Sequence, residues 1–274
     1  MSKVWFITGT SKGFGRIWAE AALERGDRVA ASARSPETLA GLVERYGDAV
    51  LPMRLDVTDT AAVDATVRQA HEHFGRLDVV VNNAGYGLFG AVEEVSEEQA
   101  RAQIETNLFG ALWVTRAALP LLRAQGSGHI IQVSSIGGVN AFPMVGLYHA
   151  SKWGLEGFSQ SLAHEVADLG IKVTLVEPMA YATDWVGSSS VHAEPIAAYD
   201  PIRRARRWTP GDPQATGPAI LKLVDAEQPP LRVFFGDGAL AMIKDEYAKR
   251  IAEWEQWNDV YLRGDPRVAP AHTT

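Results

Sequence analysis

The sequence predicts an α/β fold, doubly wound about a parallel sheet of roughly seven strands with helices on both faces, and three observations carry that prediction. Short β-branched runs alternate with longer segments of helical period. Several of the short runs, such as Val79-Val80-Val81 and Ile130-Ile131, are apolar without interruption, which belongs to strands covered on both faces. A glycine-rich turn separates the first run from the first helical segment.

The first strand covers Val4 to Ile7, a helix follows from Phe14 to about Arg25, and Arg28 to Ala33 forms the second strand. The alternation continues with a strand from Val50 to Leu55, a helix over about Thr60 to Phe74, and a strand from Leu77 to Val81. A long helix around Ala102 to Arg123 precedes the strand His129 to Val133, and a helix from about Tyr148 to Asp168 feeds the strand Ile171 to Val176. With Leu231 to Phe235 as the last strand, the sheet is complete.

From Tyr181 to about Asp212 the pattern lapses into Ser, Pro, Gly and Arg, and loops of this length in a compact domain are usually lids or binding segments. The arginines between Arg203 and Arg207 read as a solvated helix face. Leu240, Ile243, Tyr247, Ile251, Trp254, Trp257 and Tyr261 step by three or four residues, one apolar stripe that packs on the domain or on a partner subunit. We expect one domain over 1–274, with a cofactor-binding and catalytic core over about 3–184 and a substrate loop and C-terminal extension over 185–274.

The chain has 274 residues, 46% hydrophobic and 22% charged, with a net charge of −7, inside the ordinary globular range. This balance gives no global electrostatic reason to bind nucleic acid or an anionic membrane. The absence of cysteine excludes disulfides, thiolate nucleophiles and Cys-ligated metal, so redox chemistry needs a bound cofactor. With no long apolar run and only Val4 to Ile7 near the start, the expectation is a cytoplasmic protein.

Thr8-Gly9-Thr10-Ser11-Lys12-Gly13-Phe14-Gly15 follows the first strand, and the helix begins inside it. Glycines at such a turn let the backbone approach a pyrophosphate, whose charge is stabilised by the free N–H groups of the helix N-terminus. Where an acidic residue at the end of the second strand would bind the ribose diol of NAD, the chain has Ala33 and then Arg34. Lys12 and Arg34 can converge on the 2′-phosphate of NADP. Asp56-Val57 and Asn82-Asn83-Ala84-Gly85 stand at C-terminal strand ends, where open parallel sheets bind ligands.

Tyr148 and Lys152 share a helix face, and an ammonium beside a phenol favours phenolate, which suits the pair to proton transfer near neutral pH. Ser135, at the end of the preceding strand, is placed to hold a carbonyl oxygen beside the tyrosine.

Over roughly residues 3 to 184 the sequence resembles the short-chain dehydrogenase/reductase family in its classical branch. The resemblance rests on Thr8-Gly9-x-x-x-Gly13-x-Gly15, Asn82-Asn83-Ala84-Gly85, Asn107, Ser135 and Tyr148-x-x-x-Lys152, in order and at the family's spacing. It implies a single Rossmann-type domain and metal-free hydride transfer between a carbonyl and an alcohol, with NADP(H) as cofactor. It implies that Ser135 positions the substrate oxygen, Tyr148 is the acid/base, Lys152 lowers its pKa and binds the nicotinamide ribose, and Asn107 supports a water-linked proton relay. Gly9, Ser11, Lys12, Gly13, Phe14, Gly15, Arg34, Asp56, Val57, Asn83, Ala84, Gly85, Pro178, Tyr181 and Thr183 take the cofactor-binding places, together with Tyr148 and Lys152.

Two departures bear on the substrate. Pro178-Met179-Ala180-Tyr181-Ala182-Thr183 carries Met179 where the family has glycine beside the nicotinamide, while Thr183 keeps its place. Met144 stands in a segment where relatives have a small residue, and both methionines read either as gap-fillers or as a specialised or re-engineered pocket. Tyr86, Leu88, Ile136, Val139, Phe142, Met144, Met179, Tyr181 and Trp185 form a candidate apolar lining for a bulky hydrophobic ketone. The extension from Trp185 onward is similar to that of the hydroxysteroid and retinol dehydrogenase-like members, where this region covers the substrate. The expected activity is an NADPH-dependent carbonyl reductase or alcohol dehydrogenase working as a homo-oligomer, dimer or tetramer. The alternative is a catalytically silent NADP-binding regulatory module.

Overall fold

Every residue of the first strand is buried, and side-chain alternation gives each of its faces a different core. Trp5 and Ile7 pack with Ile17, Trp18, Ile220 and Leu223 on one side of the sheet. Val4 and Phe6 pack with Val63, Val67, Val114 and Leu122 on the other. Helices on both faces remove this strand from water, which is why its sequence is apolar throughout. Burying each such side chain stabilises the fold by roughly 1.5–3 kcal/mol.

The computed structural model describes residues 2–258 and 260, apart from 184, 186, 188 and 206–208. The elements run β1 (Val4–Thr8), α1 (Gly13–Glu24), β2 (Arg28–Ala33), α2 (Ala40–Tyr46), β3 (Val50–Arg54), α3 (Thr60–Phe74), β4 (Val79–Asn82), β5 (Gly87–Phe89) and α4 (Glu97–Ile104). They continue with α5 (Gly110–Gln125), β6 (Gly128–Val133), α6 (Gly146–Val166), β7 (Ile171–Pro178), β8 (Ser190–His192), α7 (Asp200–Ala205), α8 (Thr216–Asp225), β9 (Arg232–Phe235) and α9 (Ala239–Trp257). The main sheet has seven strands in the order β3-β2-β1-β4-β6-β7-β9. All of its pairings are parallel, with Phe6 opposite Ala30 on one side and Val80 on the other. The strand order reverses between β1 and β4, and the crevice beyond their C-terminal ends is the ligand site of such sheets.

Three features differ from the sequence expectations. The single helix expected over 102–123 is two helices joined by a π-helical turn, Glu105–Phe109, which holds Asn107. A second sheet, absent from the sequence reading, pairs β5 with β8 in parallel and fixes the start of the long segment after Tyr181. Arg203 is no solvated cation: its guanidinium bonds the buried Glu94 carboxylate and Asp200. Arg206 and Arg207 lie outside the described residues.

The chain forms two compact units, residues 1–236 and 237–274. The first holds the sheet and its helices. In the second, α9 carries the expected stripe, with Leu240, Ile251, Trp254 and Trp257 exposed and Ile243 buried; Tyr261 lies outside the described residues. Among the described residues no helix is long and apolar enough to cross a membrane.

Candidate active site

Loops at the C-terminal ends of β1, β2, β3, β4, β6 and β7 enclose a cavity of about 1140 Å³. One part is lined by Gly9, Ser11, Lys12, Gly13 and Phe14, with Ala33, Arg34, Asp56 and Val57. Asn83, Ala84, Gly85, Pro178, Tyr181 and Thr183 also line it. The cavity reaches Ser135, Tyr148 and Lys152, and beside them Tyr86, Ile136, Phe142, Met179 and Trp185.

The glycine loop is held from beneath. Thr8 Oγ1 donates to the Val81 carbonyl and accepts from the amides of Asn83 and Ala84 at 2.9 Å each. Asn83 Nδ2 in turn donates to the carbonyls of Thr8 and Gly9 at 2.9 and 3.0 Å. Gly15 does not line the cavity; a Cβ there would collide with the Gly9 carbonyl and stand 2.5 Å from Asn83 Nδ2. Its role is to let α1 approach the loop, and Gly13 and Phe14, the first residues of the helix, line the cavity. This cradle fits a dinucleotide pyrophosphate.

Tyr148 and Lys152 are both buried on α6. The Lys152 ammonium donates to the Val133 carbonyl at 2.8 Å and lies 5.7 Å from the Tyr148 ring centroid. Ser135 Oγ accepts from the Gly137 amide at 3.0 Å and lies near enough to the phenol to favour its ionised form. Burial dominates both titrations: it pushes Tyr148 up to about 12, partly offset by Ser135, and pulls Lys152 down to about 8, partly offset by Glu156. The phenol is therefore held protonated, because burial outweighs what favours phenolate. Trp185 packs edge-on against Tyr148 and Phe89, at 5.1 and 4.9 Å between centroids.

Asn107 does not line the cavity. Its Nδ2 donates to the Tyr86 carbonyl at 2.9 Å and to Ser151 Oγ at 3.3 Å, while its Oδ1 accepts from the Tyr86 amide at 3.0 Å. It fixes the backbone next to Gly85, where a Cβ would lie 3.1 Å from Asn107 Oδ1 and 3.8 Å from Lys152 Nζ. Met144, Leu88 and Val139 are buried but do not line the cavity either. Met144 is the one non-glycine residue with positive φ, at 70°, among the described residues, and its carbonyl accepts from the Gly90 amide at 2.9 Å. It shapes the chain between β6 and α6.

Sequence reasoning missed Glu94. This buried carboxylate accepts from the amides of Ala91 and Ile196, each at 2.7 Å, and from Arg203, tying the segment after β8 to the body. Its sequence signal was a glutamate three residues after Ala91, without the Ser or Thr that usually marks such a capping arrangement.

A glycine-loop cradle at one part of the cavity and the buried Tyr148 and Lys152 at another are the arrangement of a dinucleotide-dependent oxidoreductase. The model of the short chain dehydrogenases matches residues 3–193, and the chain belongs to that family. It is 44% identical over 276 residues to Oxidoreductase BOA17 of Botryotinia fuckeliana, covering 96% of this chain and 99% of the relative. Among solved structures, a short-chain dehydrogenase from Streptomyces avermitilis superposes with a TM-score of 0.91 at 39% identity, covering 97% of this chain and 99% of the other. An alcohol dehydrogenase from Thermococcus sibiricus, complexed with 5-hydroxy-NADP, superposes with a TM-score of 0.73 at 26% identity, covering 86% and 96%.

Proposed function

We propose that this protein is an NADPH-dependent oxidoreductase that interconverts a bulky hydrophobic ketone or aldehyde with its alcohol. The observation that carries the reading is the convergence of Ser135, Tyr148 and Lys152 on one cavity with the glycine loop. Lys12 and Arg34 line the same cavity beside Ala33, where an acidic residue would disfavour a 2′-phosphate. The nicotinamide supplies or accepts the hydride when bound. Gly9, Ser11, Lys12 and Gly13 hold the phosphates, and Lys152 holds the adjoining ribose.

Ser135 Oγ orients the substrate oxygen toward the phenol. Tyr148, protonated at rest, donates its proton to that oxygen as the carbonyl is reduced, and takes it back in alcohol oxidation. The Lys152 ammonium stabilises the phenolate formed on donation. Asn107 keeps the Tyr86 and Gly85 backbone in place and thereby the wall beside Lys152. Ile136, Phe142, Met179 and Trp185 exclude water and favour an apolar substrate body. The reading includes cytoplasmic action as a homo-oligomer, for which the exposed Phe109 and Trp153 supply apolar surface. NADPH oxidation measured against a panel of aryl, aliphatic and steroid ketones tests it, and no turnover across the panel would favour a silent NADP-binding module.

A further inference from the structure

Beside Lys152 lies a group of buried polar side chains that the proposed reaction leaves unused. Glu156 follows Lys152 by one helical turn and shares its face of α6. Glu177 on β7 is fully buried and Glu156 nearly so. Arg232, on the neighbouring strand β9, donates from Nε to Glu156 Oε2 at 2.8 Å and from its terminal nitrogen to Gln160 at 2.8 Å. Its Nε is 3.6 Å from Glu177 Oε1, beyond hydrogen-bond reach. Glu156 Oε1 and both carboxyl oxygens of Glu177 are left without a partner.

Two ionised carboxylates gathered about one guanidinium Nε, at 2.8 and 3.6 Å, with three unpartnered buried oxygens would carry both a large desolvation penalty and mutual repulsion. One proton held between them removes the repulsion and gives two of the three oxygens a partner in a charge-assisted bond. We propose that Glu177 is protonated and donates to Glu156, and that the charge left on Glu156, facing Arg232 and Lys152, makes Glu156 a positioning residue that keeps the Lys152 ammonium charged. The charged groups around Glu156 are Lys152 on its own helix, Glu177 from β7 and Arg232 from β9; Gln160 and Ser134 are neutral neighbours. Burial first, and then the Glu156 charge, push Glu177 far above the usual carboxylate range, with Arg232 opposing. Attraction to Glu156 is what opposes the fall of Lys152 on burial.

This role rests on the proposed function of Lys152, whereas the shared proton does not, and the two are tested separately. Infrared spectroscopy of the full-length protein at pH 7 should show the carbonyl stretch of a protonated carboxylic acid. The band should be missing in Glu177→Gln, a variant that keeps the shape and a donor toward Glu156. Absence of the band from the wild type, or its persistence in Glu177→Gln, would overturn the shared proton. In ketone reduction with NADPH, Glu156→Gln should move the basic limb of the kcat/KM profile to lower pH by about one unit, the scale of one nearby buried charge. Glu156→Asp should restore at least half of that shift. A basic limb unmoved in Glu156→Gln would overturn the positioning role, while near-native turnover of Tyr148→Phe would instead fault the functional reading on which it rests.

Discussion

Met179 sits against Gly236, and the contact exists because Gly236 has no side chain. A Cβ on Gly236 would lie 2.7 Å from Met179 Cβ and 2.9 Å from its Cγ. The two backbones are tied there, with the Met179 amide donating to the Phe235 carbonyl at 2.8 Å. The glycine thus leaves room for the methionine, which lines the cavity.

From this pairing, Met179→Gly should leave NADPH affinity within a few-fold while changing the ranking of bulky against slim ketones. A small apolar contact of one kcal/mol or so corresponds to roughly fivefold to tenfold in relative kcat/KM. Parallel NADPH titrations and a matched ketone series check it. A large change in NADPH binding with unaltered ranking would place Met179 against the cofactor.

Cofactor preference should follow Lys12 and Arg34. The double variant Lys12→Ala, Arg34→Ala should narrow the preference for NADPH over NADH by at least about tenfold. Tenfold is about the lower end for one charge-assisted bond; Arg34 is exposed and screened, so no second bond is added to that floor. An unchanged ratio of kcat/KM values would remove both residues from phosphate recognition.

Much of this site is legible in the sequence because it depends on local chemistry. The turn between β1 and α1, the strand ends at Asp56 and Asn83, and the spacing of Tyr148 and Lys152 each follow from neighbours in the chain. What escapes the sequence depends on distant partners. β5 is three residues long and becomes a strand through pairing with Ser190–His192. Asn107 keeps its sequence position, but the π-helical turn directs its amide to the Tyr86 backbone. Met144, read as pocket lining, is instead a backbone tether. The fit of Met179 needed Gly236, 57 residues later.

The substrate segment should loosen when Glu94 is removed. Glu94→Ala leaves the Ala91 and Ile196 amides and the Arg203 guanidinium without their common acceptor. Amide exchange should quicken over 190–205, and KM should rise roughly threefold to tenfold, about the net worth of a hydrogen bond, with a smaller change in kcat. Exchange as slow as in the wild type would show that the β5–β8 pairing and the bonds of Gln99 and Tyr199 hold the segment without Glu94.

Acid should destabilise the fold through His129. Burial pulls this histidine down to about 4, with repulsion from Lys172 and Lys3 adding to the effect. Nε2 is paired with Thr174 Oγ1 at 2.9 Å. An unfolded histidine titrates near 6.5, so between these values the unfolded chain binds the extra proton. The stability contributed by the neutral ring is complete above about pH 6.5 and is lost as pH falls through 4, on the order of 3 kcal/mol in the limit. Denaturant titrations of wild type and His129→Gln from pH 7 to 4 should converge as the pH falls, and parallel curves would contradict the assignment.

The claim on which the account turns is that Tyr148 is the proton donor. Tyr148→Phe keeps the ring and its packing against Trp185 and removes the transferable proton. With NADPH and a ketone that the wild type reduces, kcat for the variant should fall by about 10²- to 10⁴-fold, with NADPH affinity and thermal unfolding close to wild type. Turnover near the wild-type value in a folded, NADPH-binding Tyr148→Phe protein would contradict the account.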